Sequence, residues 1–112
     1  MEIGSGGTEG PRLAGELSGL DNNLYGSLAG GPEPAEVARA FVNAGWRARR
    51  PSWTGYEVEH SWAQIEFFPR CDGITGFAGV IDPGRVDQLM ATFGALRLSG
   101  SLELEPGSRM EF

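Results

Sequence analysis

Between Trp53 and Pro69 the chain reads WTGYEVEHSWAQIEFFP, and apolar and polar positions alternate twice along it. A β-strand sends successive side chains to opposite faces, so this alternation predicts two strands joined by a tight turn near His60-Ser61. Tyr56 and Val58, with Ala63, Ile65 and Phe67, form a dry face. Trp53, Glu57 and Glu59, with Trp62, Gln64, Glu66 and Phe68, form the other face, where carboxylates are interleaved with large aromatics.

The flanking pattern supplies the other elements. Val37, Ala38, Phe41 and Val42 make the apolar stripe of a helix over 34–45, with Pro34 in its first turn, Glu36 near its positive end and Gly45 at its C-terminal stop. WRARR is a short extended piece ended by Pro51. Asp72-Gly73 marks a turn, and Ile74 to Ile81 is apolar at both parities, as a central strand would be. Gly76 and Gly79 within it point to a bulge or a close backbone approach. Asp82-Pro83 opens a second helix carrying Val86, Leu89, Met90 and Phe93 on one face, ended by Gly94. From Leu96 to Glu105 leucines alternate with polar residues, including Glu103 and Glu105, which predicts a half-buried strand followed by a polar tail.

Residues 1–31 read differently. MEIGSGG resembles a flexible lead-in or a cloning remnant. Leu13, Leu17, Leu20, Leu24 and Leu28 then recur at helical spacing against frequent glycines, which predicts a marginal helix or an irregular arm. The expected organisation is a glycine-rich arm over 1–31 and one α+β domain over 32–112. Its element order is α-β-β-β-α-β. Two helices cover one face of an approximately four-stranded, mainly antiparallel sheet in a two-layer sandwich. The other face carries Trp53, Glu57, Glu59, Trp62, Glu66, Phe68, Glu103 and Glu105.

Composition narrows the chemistry. The 112 residues suffice for one domain with a modest core. A formal charge of −6 argues against nucleic-acid binding and favours solubility or a basic partner. Arg47, Arg49 and Arg50 between two tryptophans read better as a charged strand edge than as a nucleic-acid patch. One cysteine, Cys71, and one histidine, His60, exclude an internal disulfide and the usual zinc ligand sets, so no metal or cofactor is expected. No apolar run is long enough to span a bilayer and no secretory leader is apparent, which makes the cytoplasm the expected compartment.

Three kinds of function fit this pattern. An aromatic and acidic sheet face suits a protein partner, because aromatics dominate binding hot spots and complementary charge steers encounter. A small accessory or homodimeric subunit pairing through the sheet is the second, so monomer and homodimer both stand. The third is an enzyme, with Glu57 and Glu66 as paired carboxylates or Cys71 with His60 as nucleophile and base. A flat solvated face argues against it, because it excludes no water.

The run AEVARAFVNAGWRARRPSWTGYEVEHSWAQIEFFP, followed by ITGFAGVIDPGRVDQLMATF, resembles small actinobacterial αβ proteins. In size, acidity and element order the chain also resembles the immunity proteins of bacterial polymorphic toxins. The resemblance spans roughly residues 35–105 and rests on the helix-AGW junction, YEVEHSWAQIEF and the DPGR helix start. It implies a cytoplasmic protein that binds and blocks a cognate toxin, and it assigns no functional residue.

Overall fold

The computed structural model describes residues 10–51, 53–105 and 107–112; the lead-in MEIGSGG lies outside them. The elements are β1 (Leu24–Leu28), α1 (Pro34–Asn43), β2 (Arg47–Arg49), β3 (Tyr56–His60), β4 (Ala63–Pro69), β5 (Thr75–Ile81), a 3₁₀ turn (Pro83–Arg85), α2 (Val86–Ala95), β6 (Gly100–Leu104) and β7 (Ser108–Glu111). The strands form one antiparallel sheet in the order β2-β3-β4-β5-β1-β6-β7. The class is α+β, as predicted, but the sheet has seven strands rather than about four, and the order is β-α-β-β-β-β-α-β-β.

Of the three additional strands, β2 is the extended piece WRARR, and the other two lie where the sequence pattern is ambiguous. Leu24 and Leu28, assigned to the arm, share a four-residue spacing that suits a helix. LYGSL also alternates, however, and pairing with β5 on one side and β6 on the other makes it an interior strand. Ser108–Glu111, taken as a polar tail, lacks alternation and pairs with the edge of β6. The last leucine-rich strand is shorter than expected, because Leu96–Ser99 form the end of α2 and its loop.

Both helices stop by the same device. At the end of α1 the N–H of Gly45 donates to Val42 O and that of Trp46 to Phe41 O, each at 3.0 Å. At the end of α2 the N–H of Arg97 donates to Gly94 O at 3.0 Å and that of Leu98 to Phe93 O at 2.9 Å. These paired bonds satisfy the last carbonyls and require one left-handed residue. Gly45 takes that conformation at φ 98°, as its position predicted; Arg97, not glycine, takes it at φ 61°. Gly94, expected to end the helix, lies within it.

Side chains from α1 and α2 meet one face of the sheet. Phe41 lies 5.4 Å from Phe67, and Phe93 lies 5.5 Å from Phe77 and 4.3 Å from Phe112, ring centre to ring centre. Leu24, Leu28, Val58, Ile65, Leu89 and Leu102 complete this buried layer. Burying a large apolar side chain contributes about 1.5–3 kcal/mol, so this ring-rich layer is the main source of stability. The edge strands β2 and β7 are short and carry Arg47, Arg49, Arg109 and Glu111, which discourages pairing with another sheet. Among the described residues, no helix is long and apolar enough to cross a membrane.

Candidate functional site

The face away from the helices is organised in rows. One row crosses the whole sheet as Arg49, Glu57, Glu66, Ala78, Tyr25, Glu103 and Arg109. A second runs Phe68, Gly76, Ser27, Ser101 and Glu111. A third runs Arg47, Glu59, Gln64 and Val80. Of the residues singled out from the sequence, Glu57, Glu59, Glu66, Phe68 and Glu103 therefore share this face.

Trp62 does not. The β3–β4 hairpin closes with His60 opposite Ala63, so Ser61 and Trp62 are the two turn residues and Trp62 escapes the strand alternation. It is only 5% exposed and packs at ring distances of 5.1 Å from Trp46 and 5.5 Å from His60. Its buried indole N–H has no hydrogen-bond acceptor among the described residues. The His60 Nδ1 accepts the N–H of Ser61 at 2.8 Å. Burial beside the tryptophans, and then the charge of Arg85, lower the pKa of His60.

Trp53 lies beyond β2 in the loop before β3 rather than on the face, and it is 88% exposed. The Arg50 guanidinium sits 5.8 Å from its ring and 5.3 Å from that of Tyr56. Glu105 stands in the turn after β6, where its N–H donates to Asn23 O at 2.9 Å.

The face is less acidic than the sequence suggests. Glu57 accepts from Arg49 Nε at 2.6 Å. That hydrogen bond first, and the charge second, push the guanidinium pKa further up. Glu59 faces Arg47 at 3.9 Å, and Glu103 faces Arg109 at 4.0 Å. Arginines expected to decorate an edge thus neutralise neighbouring carboxylates, and they do not form a free basic patch.

The segment after Gly10 covers the third row. Leu13 N–H donates to Glu59 Oε2 at 2.6 Å, Ala14 N–H to Ser61 O at 2.8 Å, and Arg47 Nη1 to Gly10 O at 3.2 Å. A cavity of about 470 Å³ remains beneath it, bounded by Leu13, Leu17, Leu20, Glu59 and Val80 among others. The arm expected to pack its leucines on the domain therefore does so with Leu13 and Leu17, over a polar row.

The uncovered half contains a trench of about 470 Å³ over β5 and β1. Gly76, Ala78, Ser27 and Ser101 keep its floor low, and Phe68, Arg70, Tyr25, Glu103 and Arg109 stand around it. The Phe68 ring reaches over Gly76 on the neighbouring strand, where an added Cβ would sit 2.8 Å from it. Tyr25 is 40% exposed, and its hydroxyl donates to Asn22 O at 3.1 Å. The sequence pattern misses Tyr25 and Ser27 in this role because it assigns β1 to the arm; the alternation of LYGSL is the signal that exposes them.

The carboxylate pair Glu57 and Glu66 stands directly opposed across β3 and β4, but Arg49 occupies Glu57 and the adjoining 280 Å³ cleft is a network of arginines and glutamates. Cys71 and His60 lie beyond opposite ends of β4, whose seven residues span roughly 23 Å. That separation excludes direct nucleophile–base contact. Among the described residues no group of three or more His, Cys, Asp or Glu side chains is arranged to hold a metal ion. No protein-family model, no curated protein and no solved structure matches this chain.

Proposed function

We propose that the chain is a non-enzymatic protein-binding module of the immunity type, which captures and blocks a cognate toxin in the cytoplasm. Its binding surface is the uncovered half of the outer sheet face. The observation that carries this reading is the trench flanked by Tyr25, exposed and anchored through its hydroxyl, and by the half-buried Phe68, both away from the helices. Aromatic groups that are fixed before binding lose little conformational freedom on association and serve as hot spots. The resemblance of size and acidity to immunity proteins points to a toxin as the partner. Trp53, accessible in the loop before β3, is a second anchor on the same domain.

The test is affinity capture from the source cell with the wild-type chain and with a Tyr25→Ala, Phe68→Ala double variant of matched folding. The expected result is a partner retained by the first and lost by the second. When expressed alone, that partner should arrest growth, and co-expression of this chain should restore it. Equal capture by both baits would place binding elsewhere. A captured partner without toxicity would remove the toxin-blocking part of the reading and leave the binding part.

A further inference from the structure

We infer that the open edge of β7 pairs with the same edge of a second copy of this chain, so that two sheets join into one. The backbone sets the first condition. Gly100 and Phe112 exchange both backbone hydrogen bonds where β6 and β7 meet, at 3.0 and 2.9 Å. In an antiparallel ladder such pairs alternate with pairs that exchange none. Met110 and Ser108 therefore bond to Leu102 and Leu104, while the N–H and C=O of Arg109 and Glu111 point away from β6. β7 ends the sheet order, and among the described residues no other segment takes up those backbone groups. Two donors and two acceptors thus face outward along an exposed strand.

Charge sets the register. In an antiparallel pair of identical strands the twofold axis stands normal to the sheet and passes between one residue and its own copy. Centred on Met110, it sets Arg109 opposite Glu111 of the second copy, and Glu111 opposite Arg109. Each of these pairs exchanges two backbone hydrogen bonds, and opposite charges facing each other across strands are favourable. Centred on Arg109 or on Glu111, the axis opposes like charges, which destabilises. Glu103 holds the Arg109 guanidinium only at 4.0 Å, with 68% of the arginine side chain exposed, so Arg109 is free to reach Glu111 of the second copy. On the inner face Met110, half-buried against the core, meets its own copy at a position without backbone bonds, where side chains approach more closely.

The other edge of the sheet lacks this complementarity. β2 carries Arg47 and Arg49 on either side of Ala48, so every twofold through it sets arginine against arginine. Gly10 also lies against the backbone there, since an added Cβ would sit 2.4 Å from the nitrogen of Arg47. Charge on an edge strand keeps foreign sheets away. At β2 it repels a second copy as well, whereas at β7 the two signs select one. So short an edge covers less than the roughly 1,000 Å² of a permanent interface, and the dimer is a weak one that forms at high protein concentration.

The test is sedimentation velocity of the full chain from micromolar to millimolar concentration, in a Cys71→Ser background that removes disulfide-linked dimers through the exposed thiol. The chain should dimerise as concentration rises. Arg109→Glu and Glu111→Arg should each weaken self-association about tenfold or more, since each makes both cross-strand pairs repulsive. Mixed in equal amounts, these two variants should associate with each other, because one edge then carries only acidic charge and the other only basic. Amide hydrogen exchange at Arg109 and Glu111 should slow as the dimer forms. Glu111 does not line the trench, so Glu111→Arg separates self-association from capture of a protein partner. A chain that stays monomeric at millimolar concentration would overturn the inference. So would a dimer indifferent to both substitutions, or a mixture of the two variants that fails to associate.

Discussion

Replacing Trp62 by alanine removes an indole that is 95% buried against Trp46 and His60 at the closed end of the β3–β4 hairpin. Deleting a buried large aromatic side chain costs about 3–5 kcal/mol, combining lost transfer energy with the cavity left behind. Trp62 also sits where the hairpin joins the head of α2, because its carbonyl accepts the N–H of Asp82 at 2.9 Å. That backbone bond survives the substitution, so the effect expected is the packing loss alone. For a domain of this size, about 4 °C per kcal/mol translates it into a fall in Tm of roughly 12–20 °C. The control is Trp53→Ala. Trp53 is 88% exposed, and its stacking on Arg50 is worth about 0.5–1 kcal/mol at a solvated site. Urea denaturation followed by far-UV circular dichroism is the appropriate assay, because both substitutions alter tryptophan fluorescence. Trp62→Ala is expected to lower the midpoint strongly and Trp53→Ala by about 1 kcal/mol or less. A loss below about 1 kcal/mol for Trp62→Ala would refute its place in the core.

Arg97→Gly should stabilise the protein by about 0.5–1 kcal/mol, since the left-handed conformation costs a non-glycine residue about 1–2 kcal/mol and glycine adds back part of that in unfolded-chain entropy. Gly45→Arg, at the equivalent place after α1, should destabilise, and calorimetry of the pair in which both move the same way would contradict the shared helix stop. Gly79→Ala should cost about 1–3 kcal/mol in urea titration because its methyl meets the backbone of Gln64 and Ile65; Gly76→Ala should cost less, since it meets only the movable ends of Phe68 and Arg70. A lowered folded pKa for His60 means that the unfolded chain binds its proton more readily. Stability should therefore rise with pH from the lowered folded value up through the ordinary value near 6.5. His60→Gln should flatten that slope in a pH series of melts, and an unchanged slope would remove His60 as its source.

The inward-facing half of the fold was legible in the sequence because a single physical signal set it. Ala63, Ile65 and Phe67 alternate without interruption, and all are buried. Gly45 and Asp82 occupy the helix positions their chemistry favours, and Asp82 accepts the N–H of Gly84 at 3.0 Å. Trp62 was misplaced because a one-residue shift of the turn moves a side chain out of the alternating pattern altogether. Leu24 and Leu28 satisfied two periodicities at once, and only pairing on both sides of β1 distinguishes them. The carboxylates of the outer face were placed correctly, but their partners were not, because Arg47 and Arg49 reach Glu59 and Glu57 only through the β2–β3 register. That neutralisation shifts attention from Glu57 and Glu59 to Glu66, Phe68 and Tyr25.

The assignment of the binding face is tested most directly by isothermal titration of the captured partner against three variants. Phe68→Ala alters the trench wall and Glu66→Arg the same outer face beside it, and Asp87→Arg makes a comparable charge change on the exposed surface of α2. The expected outcome is a loss of about 2 kcal/mol, roughly thirtyfold in Kd, for each outer-face variant, with Asp87→Arg within twofold of the wild type. A partner that loses affinity on Asp87→Arg while tolerating both outer-face variants binds the helical side, and the outer sheet face is then not the functional surface.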